Sequence, residues 1–165
     1  MQKPGFFKRI VVVVYDGLLL TAVLFFTSAV LMALVFFAFK TIAPELFFVD
    51  ASNQANAKLA TLSELGRLIG NIIVSVNCLV VSFFFYGWFW THGGQTLGMK
   101  AWNLYLVYPD GKFINWRTAL IRYISAIFSW LALGIGFSWI LLNQGKQAWH
   151  DILSNTQIVF QAPSK

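Results

Sequence analysis

Asp16 is the residue whose position most clearly demands a chemical explanation, because it lies inside an apolar run long enough to cross a bilayer. An acid near the centre of a membrane helix costs about 2.5 to 3.5 kcal/mol on insertion, so such residues usually face a protein interior or a water-filled path. Arg9 precedes it by seven residues, which places both on one helical face roughly 10 Å apart. Asp16 can therefore act as a site that exchanges a proton for a cation, or as a structural ion-pair or hydrogen-bond anchor.

A second acid, Asp151, directly follows His150 in a segment that is predicted to lie at the membrane interface. The commoner use of an acid there is as a helix cap or as the salt-bridge partner of an arginine. Arg117 and Arg122 are expected near the same interface. In a transport mechanism, Asp151 would be a second ion- or proton-binding residue and would form a cytoplasmic gate with either arginine.

Several other chemistries have little support in the sequence. His92, His150 and Asp151 do not have the spacing of a zinc or di-iron site, so we expect no metal. The stretch GGQTLGMK lacks the Gly-Lys-Ser/Thr ending of a phosphate loop, and no serine lies in a nucleophile-elbow pattern. We therefore expect no cofactor and no enzymatic activity, and the single cysteine, Cys78, is expected to pack.

The composition indicates which elements position these residues. Hydrophobic residues make up 58% of the chain and charged residues 11%, with seven Trp and seventeen Phe among 165 residues. A soluble domain of this size could not bury so much apolar surface. The net charge of +6 could indicate nucleic acid, but the twelve Lys and Arg residues are scattered at the ends of apolar runs. There they would meet anionic headgroups, so the expected partner is the lipid bilayer and not nucleic acid.

The hydropathy pattern predicts one membrane domain over residues 1–165, with three apolar helices at about 10–39, 65–90 and 118–142. The intervening loops are predicted at 41–64 and 92–116, and the tail at 143–165. Gly134 and Gly136 interrupt the third helix, which is therefore expected to be broken or re-entrant. Gly93, Gly94 and Gly98 are expected to break helicity after the second helix.

Short strand-like segments are predicted outside the membrane, at Trp102–Tyr108 in the second loop and at Thr156–Phe160 in the tail. Pairing between them would close two open strand edges, and this favours a tail on the same side as the second loop. Basic residues are denser before the first helix and in the second loop than around the first loop, which predicts a cytoplasmic N-terminus. The predicted fold is thus an all-α integral membrane protein with short cytoplasmic strand-like segments.

Three separated elements together resemble the RDD family of small bacterial membrane proteins. They are KRIVVVVYDGLLL in the first helix, GGQTLGMKAWNLYLVYPDGK in the second loop and WHDILSNTQIV in the tail. The family is named for one arginine and two aspartates, which correspond here to Arg9, Asp16 and Asp151. The other matching positions are Gly94, Gln95, Thr96, Leu97, Gly98, His150 and Thr156. From their residue types, Gln95, Thr96 and Lys100 are expected to cap the following element or to meet headgroups.

The resemblance implies a multi-pass protein of the bacterial inner membrane, and sodium/proton antiport has been proposed for some members of the family. One hypothesis is therefore a cation/proton antiporter in which Asp16 binds Na⁺ or H⁺ and Arg9 tunes its charge. Because one copy has few helices, transport would require a homo-oligomer. The alternative is a non-catalytic scaffold or accessory subunit that binds a membrane protein partner or lipid headgroups, with Arg9, Asp16 and Asp151 in structural roles.

Overall fold

The computed structural model describes residues 2–42 and 53–160, with side chains described for 2–42 and 64–160. These two ranges contain six helices and two short strands, in the order α1 Phe6–Ile42, α2 Asn53–His92, α3 Leu97–Ala101, β1 Tyr105–Val107, α4 Trp116–Leu131, α5 Ile135–Leu142, α6 Trp149–Leu153 and β2 Gln157–Val159. This confirms the predicted, mostly helical membrane fold.

The first two helices are longer than predicted. Helix α1 continues to Ile42 and α2 begins at Asn53 instead of near residue 65, so much of the predicted 41–64 loop is helical. The start of α2 is rich in strong helix formers, namely alanine, lysine, glutamine and leucine. The loop was predicted from the polarity of this segment, which does not exclude a helix. The remainder of that predicted loop, residues 43–52, lies outside the described residues.

Among the described residues, two stretches are long and apolar enough to cross a membrane, Phe6–Ile42 and Glu64–His92. Helices α4 and α5 could together form a third span, but they meet at an angle of 94°. This confirms the predicted break. Leu133 and Gly134 both have left-handed backbone angles, with φ of 53° and 77°, and so they end α4.

Gly136 allows the two helices of this bent pair to pack closely after the break. A Cβ atom at Gly136 would collide with the side chain of Ser129 in α4. The Ser129 hydroxyl, which lies beside Gly136, donates to the Ser125 carbonyl at 2.9 Å. The Gly-Ile-Gly sequence thus supplies both the turn and the close contact after it.

The chain divides into two compact units, Thr21–Val81 and the combination of Met1–Leu20 with Ser82–Lys165. In the first of these, the Asn77 side chain in α2 donates to Ser28 Oγ in α1 at 3.0 Å. Such a bond between polar side chains satisfies groups that hydrocarbon cannot solvate. The predicted functional residues all lie in the second unit, which we call the site unit.

The site unit contains a two-stranded antiparallel sheet in which Leu106 of β1 pairs with Ile158 of β2. This confirms the predicted pairing of the second loop with the tail. The sheet is well buried, since Leu106, Val107 and Val159 have no exposed surface. Burial on this scale explains how strands of three residues each persist, because an isolated two-stranded ribbon is marginal in water.

The two ends of the described chain also meet in the site unit. The Phe160 amide donates to the Gln2 carbonyl at 3.2 Å, and Lys3 Nζ donates to the Gly145 carbonyl at 3.1 Å. Groups joined by direct hydrogen bonds lie on the same side of any membrane that α1 crosses. The tail therefore lies beside the N-terminus.

Candidate functional site

The site unit takes its first functional side chains from one stripe of α1. The buried residues of this helix are Arg9, Val12 and Asp16, which are spaced three and four residues apart. That spacing is one helical face, so the face that carries both charges is turned away from lipid. The arginine and the aspartate nevertheless have different partners.

Asp16 is held by the short helix α3. Thr96 Oγ1 donates to Asp16 Oδ2 at 2.5 Å, and the Gly98 amide donates to Asp16 Oδ1 at 2.8 Å. The same threonine hydroxyl accepts from the Met99 amide at 3.2 Å, which makes Thr96 the N-cap of α3. The predicted capping role of Thr96 is therefore confirmed. We call Asp16, Thr96 and Gly98 the Asp16 site.

Gly98 does not break helicity as predicted, because it lies inside α3. Its lack of a side chain is needed for contact with α1: a Cβ atom there would lie 2.9 Å from the Val12 carbonyl oxygen and 3.0 Å from Asp16 Oδ1. The close approach brings the Gly98 amide within bonding distance of the carboxylate. By contrast, Gly94 has a φ of 63° and does follow the end of α2, as predicted.

Asp16 has no ion-pair partner within 4 Å in residues 2–42 and 64–160, where the buried ion pairs all involve Asp151. Arg9 lies on the same helical face but its guanidinium is directed elsewhere. Two neutral donors therefore hold a carboxylate that is only 3% exposed. This is an unusual environment for an ionised acid, because burial of an uncompensated charge costs several kcal/mol.

Asp151 has the opposite environment. Arg9 Nη1 lies 2.5 Å from Asp151 Oδ2, and Arg122 Nη1 lies 2.7 Å from Asp151 Oδ1. The Ala148 amide also donates to Oδ2 at 3.1 Å, so the carboxylate caps the start of α6 as well. We call Arg9, Arg122 and Asp151 the arginine–aspartate cluster.

The arginine–aspartate cluster ties four parts of the site unit together. Arg9 belongs to α1, Arg122 to α4 and Asp151 to α6, and the Arg122 guanidinium also donates to Thr156 Oγ1 at 2.6 Å in the tail. Arg9 Nη2 donates to the Lys146 carbonyl at 2.8 Å. Three charges from distant parts of the sequence therefore determine where the tail lies.

Electrostatics keep Asp151 ionised and His150 neutral. Burial alone would raise the pKa of Asp151, but the guanidinium groups of Arg122 and Arg9 outweigh it and hold the pKa well below its usual range. Burial, followed by the positive charge of Arg122, lowers the pKa of His150 to about 3. At neutral pH, two guanidinium charges against one carboxylate leave the arginine–aspartate cluster with one net positive charge.

An apolar cavity of about 450 Å³ lies within the site unit. Its apolar wall includes Ile127, Trp130, Phe137 and Ile140 from the bent helix pair. Polar groups reach it from Asp16, from both arginines of the arginine–aspartate cluster and from His150. Cavities of this volume with a few convergent polar groups are typical of ligand and substrate sites.

The other predicted residues lie around this centre. Thr156 is buried and accepts from Arg122, and Gln95 Nε2 donates to the Leu104 carbonyl at 3.0 Å. Lys100 and Arg117 are exposed, and Arg117 makes no ion pair with the side chains that the structure describes. Of the two arginines considered for Asp151, only Arg122 contacts it.

Sequence reasoning did not identify Trp90 and Tyr86 as part of the site, although both line the cavity. The Arg122 guanidinium lies 5.4 Å from the centroid of the Trp90 ring, a cation–π arrangement. The sequence showed only an aromatic run at the end of α2, which suited a membrane interface equally well. Tyr86 and Trp90 are four residues apart and share one face of α2, but the sequence does not show that this face meets Arg122.

The helices, the bent pair and the buried charges define a small helical membrane protein in which Asp16 joins α1 to α3, and the ion pair between Arg9 and Asp151 joins α1 to α6. The model of the RDD family matches residues 3–155, and the chain belongs to this family. No curated protein and no solved structure matches the chain significantly. The matched range includes the whole Asp16 site and the arginine–aspartate cluster.

Proposed function

We propose that this protein is a membrane carrier that exchanges a proton for a small monovalent cation, such as Na⁺, at Asp16. The observation that carries the proposal is a buried carboxylate in an apolar helix that lines a cavity and has no cationic partner among the described side chains. An intramembrane acid of this kind is a functional candidate by default.

The physical argument rests on how the charge of Asp16 is neutralised. In a medium of low dielectric constant, a carboxylate with two neutral donors is stable when it carries a proton or binds a cation. The Thr96 hydroxyl and the Gly98 amide occupy one direction at each oxygen and leave further lone pairs available. Competition between H⁺ and a cation for those lone pairs is the chemical basis of exchange.

Asp151 has a different role in this proposal. Each of its oxygens already contacts a guanidinium, and its pKa lies well below the usual range, so it neither releases a proton nor has room for a cation near neutral pH. Arg9, Arg122 and Asp151 would instead hold α1, α4 and α6 in place around the cavity. The exchange is non-enzymatic and uses no cofactor.

The proposed setting is the bacterial inner membrane, with multiple crossings and both described chain ends on the cytoplasmic side. The hydrogen bond between Phe160 and Gln2 supports a common side, and the basic residues before α1 support the cytoplasmic one. A transport path needs more helices than one chain supplies, so we propose that the carrier is a homo-oligomer.

The test is sodium-driven proton flux in proteoliposomes that contain purified protein. The wild type should acidify or alkalinise the lumen according to the imposed sodium gradient, and Asp16→Asn should abolish this flux. Asp110→Asn is the matched control, because Asp110 is exposed and, among the described side chains, forms its ion pair with Lys112 alone, at 3.1 Å; its flux should equal that of wild type. Equal flux in wild type and Asp16→Asn, or none in wild type over a broad range of pH and of monovalent cations, would refute the proposal.

A second candidate function is supported by the arginine–aspartate cluster. A buried set of three charges that joins three helices and the tail suits a rigid scaffold or accessory subunit of a membrane complex. This alternative predicts a stoichiometric membrane protein partner that co-purifies in mild detergent from the native host. It also predicts no ion flux by the purified chain, whereas the carrier proposal predicts flux without any partner.

A further inference from the structure

We propose that the 450 Å³ cavity of the site unit binds a single-chain anionic amphiphile, that is, one hydrocarbon chain with a carboxylate or phosphate head. This inference does not depend on ion exchange at Asp16. It rests on the apolar wall of the cavity, on buried donors that lack partners and on the charge of the arginine–aspartate cluster.

The wall of the cavity indicates the body of the ligand. Trp130 and Phe137 lie 5.4 Å apart between ring centroids at the bend between α4 and α5, and Ile127 and Ala126 continue the apolar surface along α4. At roughly 30 Å³ for each water-sized group, the volume accommodates about fifteen non-hydrogen atoms. One hydrocarbon chain fits this space. Water is the alternative occupant of the cavity, but the apolar wall disfavours it.

Buried polar atoms indicate the head of the ligand. Three of the residues that line the cavity carry a buried nitrogen without a hydrogen-bond partner: Arg9 Nε, Arg122 Nε and His150 Nδ1. The two arginine nitrogens are always donors, and the imidazole can donate from Nδ1 in one of its neutral tautomers. Unpaired buried donors are costly, and a ligand that supplies acceptor oxygens would remove that cost.

The net positive charge of the arginine–aspartate cluster favours a ligand with an anionic head. Asp151 compensates one of the two guanidinium groups, so one positive charge remains beside the cavity. Asp16 also lines the cavity but follows Arg9 by seven residues on α1, which separates their backbones by roughly 10 Å. An anionic oxygen next to the arginines therefore lies away from the Asp16 carboxylate, and the chain extends along the bent helix pair.

The experiment uses the full chain in lipid nanodiscs, with no ion gradient, and measures saturable binding of three probes with the same chain length. Dodecanoate carries a carboxylate, dodecyl phosphate carries a phosphate and dodecanol carries no charge. We expect one molecule per chain, with at least one anionic probe bound tenfold or more tightly than dodecanol. The tighter of the two anions identifies the head. Dodecanol that binds as tightly as both anions would overturn the proposed recognition.

Two variants on α4 locate the binding. Ala126→Phe fills the cavity and should reduce binding of the preferred anion at least tenfold, whereas Ile124→Phe adds the same ring at a half-exposed position that does not line the cavity and should bind like wild type. Equal binding by Ala126→Phe would refute the cavity as the site. If that variant does not fold, a photoactivatable dodecanoate decides: cross-links to Trp130 or Phe137 support the proposal, and cross-links confined to residues outside the cavity wall overturn it.

Discussion

The two buried aspartates of this protein differ in charge compensation far more than in burial. Asp151 is fully buried and has a guanidinium at each oxygen, while Asp16 is 3% exposed and has a hydroxyl and an amide. Both acids join elements of the site unit, but of the two only Asp151 has its charge compensated by ion pairs. The chemistry of a buried acid therefore follows from its partners and not from its depth.

The largest expected effect comes from Asp151→Asn, which removes the carboxylate that pairs with two buried guanidinium groups. Loss of one partner from a buried ion pair costs about 3 to 5 kcal/mol, because the remaining charges stay buried. We expect a strongly lowered thermal midpoint in detergent, or failure of the variant to accumulate. Asp110→Asn should melt like wild type, and an equally stable Asp151→Asn would show that the arginine–aspartate cluster does not hold the site unit together.

A smaller loss of stability is expected from Gly98→Ala, which tests the Asp16 site in the same assay. The new Cβ atom would press on the Val12 carbonyl and on Asp16 Oδ1, so α3 must move away from α1. Overpacking of this kind costs about 1 to 3 kcal/mol. Gly93→Ala is the control, since the nearest atom to its Cβ lies at 3.8 Å. Equal melting of the two variants would refute the close approach.

The smallest expected effect is a change in the pH dependence of the free energy of unfolding, caused by titration of His150. Its pKa in the folded protein is about 3, and the unfolded imidazole titrates near 6.5, so the unfolded state binds more protons between these values. Stability is therefore fully present above about pH 6.5 and decreases as the pH falls toward 3, by about 1 to 2 kcal/mol at pH 5.

The His150→Phe variant should lose this part of the slope, because phenylalanine does not titrate and can retain the ring contact with Phe137. Unfolding midpoints measured at pH 7 and pH 5 give the slope directly. His92→Phe, at the exposed histidine of the described residues, provides the comparison. A slope that persists in His150→Phe but disappears in His92→Phe would contradict the assignment.

Much of the fold follows from local pattern. The apolar runs predicted the spans, and the glycines at 134 and 136 predicted the break. The pairing of the two short strands was predicted because each would otherwise have an open edge. Asp16 and Thr96 were also identified, because an acid in an apolar run and a threonine before a helix each have a local physical meaning. These features depend on residues that are close in sequence.

The long-range contacts could not be predicted in the same way. Arg117 and Arg122 are five residues apart, so they point to different faces of α4, and the sequence does not state which face meets α6. The role of Gly98 depends on the approach of α3 to α1, across 82 residues of sequence. The cavity likewise arises from the bend between α4 and α5 and has no sequence pattern of its own.

The measurement that most directly tests the difference between the two acids is the infrared difference spectrum of the purified protein on addition of Na⁺ at constant pH. We expect loss of one protonated carboxyl band and gain of a carboxylate band in wild type and in Asp110→Asn, and no such change in Asp16→Asn. A sodium-induced carboxyl signal that persists in Asp16→Asn, or its absence from wild type, would refute exchange of a proton for Na⁺ at Asp16.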